Sequence, residues 1–88
     1  WYGPGLHGNL TASGEMFDQY AMTCAHRTAP FQTRIRVTNT GTGQSAICRV
    51  NDRGPYVDGR EIDVSMGVAR KLDMLETGTA RVRLEILE

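Results

Sequence analysis

VNDRGPY, at residues 50–56, is the stretch around which this 88-residue chain is organised. The β-prone residues 46–50 lead into it, and a Gly-Pro turn follows its charged pair. The pattern therefore predicts that Asp52 and Arg53 lie where a strand ends. Loops at strand ends expose reactive groups on a rigid scaffold. Two interpretations stay open here: Asp52 does chemistry, or it pairs with Arg53 to close a turn.

Length and charge limit the possible functions. Residues 1–88 are expected to form one domain with a single small core. Ten basic and ten acidic side chains balance, and the cations are scattered, so nucleic acid is not expected as a partner. No apolar run approaches the ~18 residues of a membrane span. The opening residues favour the first strand of a domain, with any targeting segment upstream, and a monomer is the favoured state.

Alternating polar and apolar residues predict short strands separated by turns. Four segments show this alternation or a β-rich composition: residues 33–38, 45–51, 61–64 and 80–87. The first two flank a Gly-rich turn and are expected to form a hairpin that ends at Asp52. In the last strand, three apolar side chains are expected to face inward: Val82, Leu84 and Ile86.

Helical patterns are short. Ser65 is placed to cap a helix that runs to Leu72. Residues 17–24 carry a second brief apolar pattern, which predicts one or two further helical turns. Short strands, many turns and little helix favour a small closed or nearly closed β barrel, since closure removes exposed strand edges.

Few side chains are candidates for chemistry. Glu15 and Asp18 lie three residues apart and would share one side of a helical turn, although carboxylates there also serve as caps. His26 precedes a proline break and is either a base or a hydrogen-bonded structural group. Arg53 would favour the ionised form of Asp52 unless the two side chains point to opposite sides of an extended backbone.

The two cysteines, Cys24 and Cys48, give the only clue to redox chemistry. They lack the spacing and the second Cys or His pair of a zinc site, so no metal is expected, and no other cofactor is indicated. Free thiols and a disulfide both remain open from the spacing alone.

Six segments, taken in order, resemble the rare lipoprotein A (RlpA) family over essentially the whole chain. They are WYG at 1–3, TASGE and FD within 11–18, AHRT and PF within 25–31, RVTN at 36–39, VNDRGPY at 50–56 and IDVS at 62–65. The resemblance implies a mainly β fold, a small six-stranded double-psi β-barrel with one or two short helices. It also implies the bacterial periplasm or envelope, commonly as an outer-membrane lipoprotein.

The resemblance further implies lytic transglycosylation of peptidoglycan, with a preference for glycan strands free of stem peptides. The residues that matter in the family match Glu15, Asp18, His26 and Asp52. Asp52 is expected to protonate the oxygen between N-acetylmuramic acid and N-acetylglucosamine. It would then take the proton of the muramyl C6 hydroxyl, leaving a 1,6-anhydromuramyl product. The other three residues would orient Asp52, adjust its ionisation or bind sugar hydroxyls.

Three further residues are expected to contact the glycan: Tyr56, Arg53 and Tyr2. The alternative function is a non-catalytic glycan-binding or wall-loosening module of expansin type, in which aromatic rings stack on sugars and the acids only bind hydroxyls. A third possibility is a scaffold that docks on other envelope proteins. The same aromatic side chains could also be ordinary packing residues.

Two departures from the family pattern matter. Cys24 and Cys48 stand where the family pattern is expected to have small or apolar residues. Because the implied envelope is oxidising, they are expected to form a disulfide, worth ~3.5 kcal/mol in the chain-entropy treatment. Gln32 stands where the family usually has glycine after Pro-Phe. That substitution puts the geometry of the turn in question.

Overall fold

Five strands and one helix make up the described part of the protein, residues 1–2 and 6–87 of a computed structural model. They are β1 (Thr23–His26), β2 (Arg34–Asn39), β3 (Ser45–Asp52), β4 (Ile62–Val64), α1 (Met66–Lys71) and β5 (Val82–Leu87). The strands form one sheet in the order β4-β1-β3-β2-β5. The predicted mainly β class with a short helix is confirmed.

The pairing of β1 with β3 is parallel, whereas the other three pairs are antiparallel. Parallel strands bring their carboxyl ends to the same edge of a sheet. β1 ends at His26 and β3 ends at Asp52, and an irregularity in the register sets Ala25 opposite Asp52. Two residues that are 26 positions apart in the sequence therefore reach one edge together.

The core lies on one face of β2 and β3. Alternate side chains of these strands are buried there, as period-2 alternation requires: Ile35, Val37, Ala46, Cys48 and Val50. The predicted hairpin is confirmed, with a register that sets Ile35 opposite Cys48. Val68 of α1 and the C-cap residue Leu72 close the core and are fully buried.

A disulfide joins β1 to β3 inside this core. The Cα atoms of Cys24 and Cys48 are 5.8 Å apart, and both side chains are buried. The two positions are separated by 24 residues. Closing a loop of this size restricts the unfolded chain and stabilises the fold by ~3.5 kcal/mol in the chain-entropy treatment.

The predicted cap of α1 is confirmed. Ser65 Oγ accepts a hydrogen bond from Val68 N–H at 3.3 Å and donates one to the Ala21 carbonyl at 2.5 Å. Arg70 and Lys71 occupy the last turn, where positive charge suits the helix dipole. The cap thus fixes both the start of α1 and its position against the segment before β1.

The helical turns expected at residues 17–24 are not formed, and Gly67 of α1 explains why. Its N–H donates to the Gln19 carbonyl at 2.9 Å, which a helix would have used for Thr23 N–H. Thr23 is instead drawn into β1, where it pairs with Arg49. The prediction was wrong because this segment forms its hydrogen bonds with α1 and β3 instead of within a helix.

Ile86 shares the face of Val82 and Leu84 by alternation, but the burial expected for it is wrong, since the residue is 62% exposed. It lies near the end of β5, which is bonded only to β2 within the described sheet, so no strand covers it on the other side. Val82 and Leu84 are partly buried and pack against the core, as predicted.

The sheet curls into a half-barrel whose edge strands, β4 and β5, flank a cavity of about 480 Å³ lined in part by Trp1 and Met74. Of the strand expected at residues 1–5, the structure shows one backbone hydrogen bond, from Tyr2 N–H to the Val64 carbonyl at 3.0 Å. Residues 3–5 lie outside the described residues. The described part therefore has five of the six strands expected.

We predict that Gly67→Ala destabilises the domain by about 2 kcal/mol, because a methyl group there overpacks the contact between α1 and the preceding loop. A Cβ at Gly67 would lie 2.4 Å from the Tyr20 carbonyl oxygen. Urea unfolding measures the change. Gly41→Ala is the matched control, since its Cβ would meet only Asn39 Oδ1 at 3.4 Å. Equal unfolding midpoints for the two variants would contradict the prediction.

Candidate functional site

Asp52 is held by one carboxyl oxygen at the end of β3. Its Oδ1 accepts hydrogen bonds from Ala12 N–H and from Arg53 N–H, each at 2.9 Å. Within residues 1–2 and 6–87, Oδ2 forms no hydrogen bond, and the side chain is half-buried. One oxygen is thus fixed in place while the other is left for a ligand.

Arg53 turns away from Asp52 and forms no ion pair with it. Its Nη1 donates to the carbonyl oxygens of His26 at 3.2 Å and Ala29 at 2.7 Å, and its guanidinium carbon lies 4.0 Å from the centre of the Phe31 ring. A guanidinium over an aromatic face is a favourable cation–π contact. Arg53 therefore braces the end of β1 through Nη1. Within residues 1–2 and 6–87 its Nε and Nη2 form no hydrogen bond, and the glycan contact expected from the sequence stays a prediction.

The turn after β3 is tied to β1 by a second arginine. Arg27 Nη1 donates to the Pro55 carbonyl at 3.2 Å. Gly54 has φ 126°, in the region that favours glycine, which explains the Gly-Pro pair in the sequence. The edge that carries Asp52 is thus held by contacts on both sides of the turn.

His26 presents one ring nitrogen outward from the same edge. Its Nδ1 accepts hydrogen bonds from Thr28 N–H at 3.2 Å and Ala29 N–H at 2.9 Å. Because Nδ1 acts as an acceptor, these contacts assign the ring proton to Nε2. The half-buried side chain can therefore donate a hydrogen bond from Nε2.

Glu15 is bound to β3 by a two-pronged ion pair with Arg49. Arg49 Nη1 and Nη2 lie 2.6 Å and 2.9 Å from the two carboxyl oxygens, and Gln32 Nε2 adds a contact at 3.3 Å. These hydrogen bonds, with that of Arg49 the largest, lower the pKa of Glu15 to about 2. Glu15 is therefore ionised near neutral pH and cannot act there as a general acid.

The 11–15 loop is attached to the end of β3 along its whole length. Ser13 N–H donates to the Asn51 carbonyl at 3.2 Å, and Ala12 N–H donates to Asp52, as described above. Together with the ion pair of Glu15, these contacts fasten the loop to three residues of β3. The loop and Asp52 therefore hold each other in position.

Asp18 has a local role in the described contacts. Its Oδ1 accepts a hydrogen bond from Tyr20 N–H at 2.9 Å, which closes a turn, and the residue is exposed. The helical spacing that suggested a shared face with Glu15 does not apply, because this segment is not helical. Among the described hydrogen bonds, none links Asp18 to Asp52.

The two tyrosines expected to bind glycan differ in exposure. The Tyr2 ring stacks on Phe17 with 5.1 Å between ring centres, and its hydroxyl is buried without a hydrogen-bond partner in the described structure. Burial raises the pKa of Tyr2, and the negative charge of Asp52 raises it further. Tyr56, by contrast, is 77% exposed and presents its ring to solvent.

The sequence does not reveal Arg49 and Gln32 as partners of the Glu15 carboxylate. No local pattern could identify them, since they lie 34 and 17 residues from Glu15 in the chain. The only signal is that Arg49 alternates with the buried residues Cys48 and Val50 and so faces away from the core. The polar network is therefore a product of the tertiary fold.

The candidate residues Asp52, Glu15 and His26 are half-buried, and Asp18 is exposed. The cavity between β4 and β5 is lined by other residues and does not include Asp52. In the part of the chain described, no cluster of His, Cys, Asp and Glu could hold a metal ion, and no helix is long and apolar enough to cross a membrane.

Comparison with known proteins gives the family. A family model described as lytic transglycolase matches residues 1–84. A protein from Synechocystis sp. named probable endolytic peptidoglycan transglycosylase RlpA is 53% identical over 88 residues, which is 100% of this chain and 27% of the relative. The chain belongs to the RlpA family. The resemblance noted in the sequence is thereby confirmed, and with it the double-psi β-barrel class of this RlpA domain.

Two further RlpA relatives, both named endolytic peptidoglycan transglycosylase, agree. The one from Vibrio cholerae is 51% identical over 87 residues, covering 99% of this chain and 33% of the relative. The one from Pseudomonas aeruginosa is 54% identical over 85 residues, covering 97% of this chain and 25% of the relative. This RlpA domain thus spans about a quarter to a third of the curated relatives it matches.

Arg49→Gln is predicted to raise the pKa of Glu15 from about 2 toward its ordinary value of 4.5, which a carbon-detected NMR titration measures. A folded-state pKa below the unfolded value stabilises the fold above the unfolded pKa, and this contribution disappears as pH falls through the folded value. The stability difference between wild type and Arg49→Gln should therefore be largest above pH 4.5 and shrink as pH falls toward 2.

Arg36→Gln is the matched control for this experiment, because it breaks the exposed pair with Glu85 instead. It should leave the Glu15 titration unchanged. An identical titration curve for Glu15 in both variants would contradict the ion-pair assignment.

Proposed function

We propose that this domain is the catalytic part of a lytic transglycosylase that cleaves the bond between N-acetylmuramic acid and N-acetylglucosamine in peptidoglycan. The observation that carries the proposal is the state of Asp52: Oδ1 is held by two backbone N–H groups, Oδ2 is left for a ligand, and Arg53 is turned away. The RlpA relatives, which are named as peptidoglycan transglycosylases, support the same substrate. The activity of the whole protein would be exerted in the periplasm, with an outer-membrane lipid anchor as a further expectation.

In the proposed reaction, Asp52 acts as acid and then as base. It protonates the glycosidic oxygen as the bond to muramyl C1 breaks, and the departing sugar keeps that proton. The muramyl C6 oxygen attacks C1 and gives its proton to Asp52, which restores the acid. One carboxyl group suffices because the two proton transfers balance, whereas ordinary glycoside hydrolysis needs a pair. The product is a 1,6-anhydromuramyl end formed without water.

The remaining residues would have supporting roles. Glu15, with a pKa of about 2, holds the 11–15 loop rather than donating a proton. His26 would donate from Nε2 to a sugar hydroxyl, and the exposed Asp18 would accept from another. Tyr56 would stack on a sugar ring, which its exposure allows. A preference for glycan strands without stem peptides is part of the proposal.

Asp52→Asn is expected to lower the release of 1,6-anhydromuramyl products from peptide-free glycan strands by at least ~100-fold, because the amide can neither donate nor accept the catalytic proton. Mass spectrometry of the digest measures the products. Asp73→Asn, a change on the turn after α1, is the control and should retain wild-type activity. Product formation by Asp52→Asn at the wild-type rate would overturn the assignment.

The exposed ring of Tyr56 also favours the second candidate, a non-catalytic glycan-binding module of expansin type. In either function, Tyr56→Ala should weaken glycan binding about tenfold, since a buried aromatic contact is lost, as measured by calorimetry with peptide-free strands. Wild type that binds these strands and yields no anhydro product would identify the binding module. Wild type that neither binds nor cleaves would favour the scaffold that docks on other envelope proteins.

A further inference from the structure

Gln32 adopts a backbone conformation that its side chain disfavours. Its φ is 77°, in the left-handed region that glycine enters without penalty and that other L-residues rarely occupy. The residue lies in the exposed turn between Phe31 and β2, and its N–H donates to the Val50 carbonyl at 2.8 Å. Glycine would meet these backbone requirements without strain. The presence of glutamine therefore indicates that its side chain has a role beyond forming the turn.

The amide of Gln32 bridges both members of the Glu15–Arg49 ion pair. Nε2 donates to Glu15 Oε2 at 3.3 Å, and Oε1 accepts from Arg49 Nη1 at 3.1 Å. A neutral side chain with one donor and one acceptor is required to satisfy a carboxylate and a guanidinium at the same time. These contacts also set the orientation of the amide, since exchanging its oxygen and nitrogen would oppose both charges.

The ion pair is in turn the far anchor of the loop that holds Asp52. Glu15 closes the 11–15 loop, where its carbonyl accepts from Thr11 N–H at 2.7 Å. Ala12, which follows Thr11 in the loop, donates its N–H to Asp52 Oδ1 at 2.9 Å. Gln32 is thus connected to Asp52 through hydrogen bonds and one tight loop.

We propose that Gln32 is a positioning residue, which fixes the 11–15 loop against β3 and thereby sets the carboxyl group of Asp52. Gln32 does not touch Asp52 and acts only through Glu15 and Arg49. The catalytic consequence rests on the function proposed above, whereas the effect on the loop does not. A turn residue without this role would gain from replacement by glycine and would leave the loop unchanged.

Gln32→Gly separates the two roles, because it relieves the backbone and removes the amide. We expect a midpoint of thermal unfolding close to that of wild type. NMR should show exchange of the Ala12 amide proton about tenfold faster, since the loop opens more often. Cleavage of peptide-free glycan strands should lose about tenfold in kcat with little change in KM, because Asp52 is less well placed.

Asp73→Gly is the matched control. Asp73 is the other described residue with positive φ that is not glycine, at 56°, and it follows α1. Its replacement relieves the same kind of strain and should change neither Ala12 exchange nor kcat. Gln32→Asn keeps an amide on a shorter side chain that tolerates this backbone, and it should fall between wild type and Gln32→Gly.

Two results would overturn the proposal: wild-type Ala12 exchange in Gln32→Gly, or equal effects of Gln32→Gly and Asp73→Gly. If wild type itself releases no anhydro product, the proposed function fails, but the exchange rates still decide whether Gln32 positions the loop. Should Gln32→Gly fail to fold, the comparison of Gln32→Asn with wild type gives the same decision.

Discussion

The parallel pairing of β1 with β3 is the constraint on which the site depends. It brings the ends of two strands to one edge, and the bond between Cys24 and Cys48 fixes that pairing covalently inside the core. His26 and Asp52 occupy those ends. Antiparallel strands would have sent these residues to opposite edges. Chain direction therefore decides which side chains can act on one ligand.

At that edge the carboxylate of Glu15 is paired with a guanidinium, whereas the carboxylate of Asp52 is not. Arg49 compensates Glu15, while Arg53, although next to Asp52 in the sequence, is directed to backbone carbonyls and to Phe31. The strongest sequence-based argument against a catalytic Asp52 was the adjacent guanidinium. Tertiary contacts hold this guanidinium away from the Asp52 carboxyl group, and the catalytic proposal is then physically consistent.

Features that depend on neighbouring residues in the sequence were predicted correctly, whereas some features that depend on contacts between distant residues were not. Ser65 as a cap and the alternation of β2 and β3 depend on neighbouring residues and were predicted. The helix predicted at residues 17–24 is absent, and one of the contacts found there instead is with Gly67, which lies more than 40 positions away. The family resemblance points to Asp52 and His26, whereas Arg49 and Gln32 meet Glu15 only in the folded structure.

The buried bond between Cys24 and Cys48 makes the stability of this domain depend on the redox state of its surroundings. A stabilisation of ~3.5 kcal/mol corresponds to a change of about 400-fold in the ratio of folded to unfolded molecules. Under reducing conditions that factor would be missing, and the chain would be unfolded and open to proteases more often. Oxidation of the two thiols therefore acts as a maturation step for the fold, and the bond is shielded afterwards because both sulfur atoms lie inside the core.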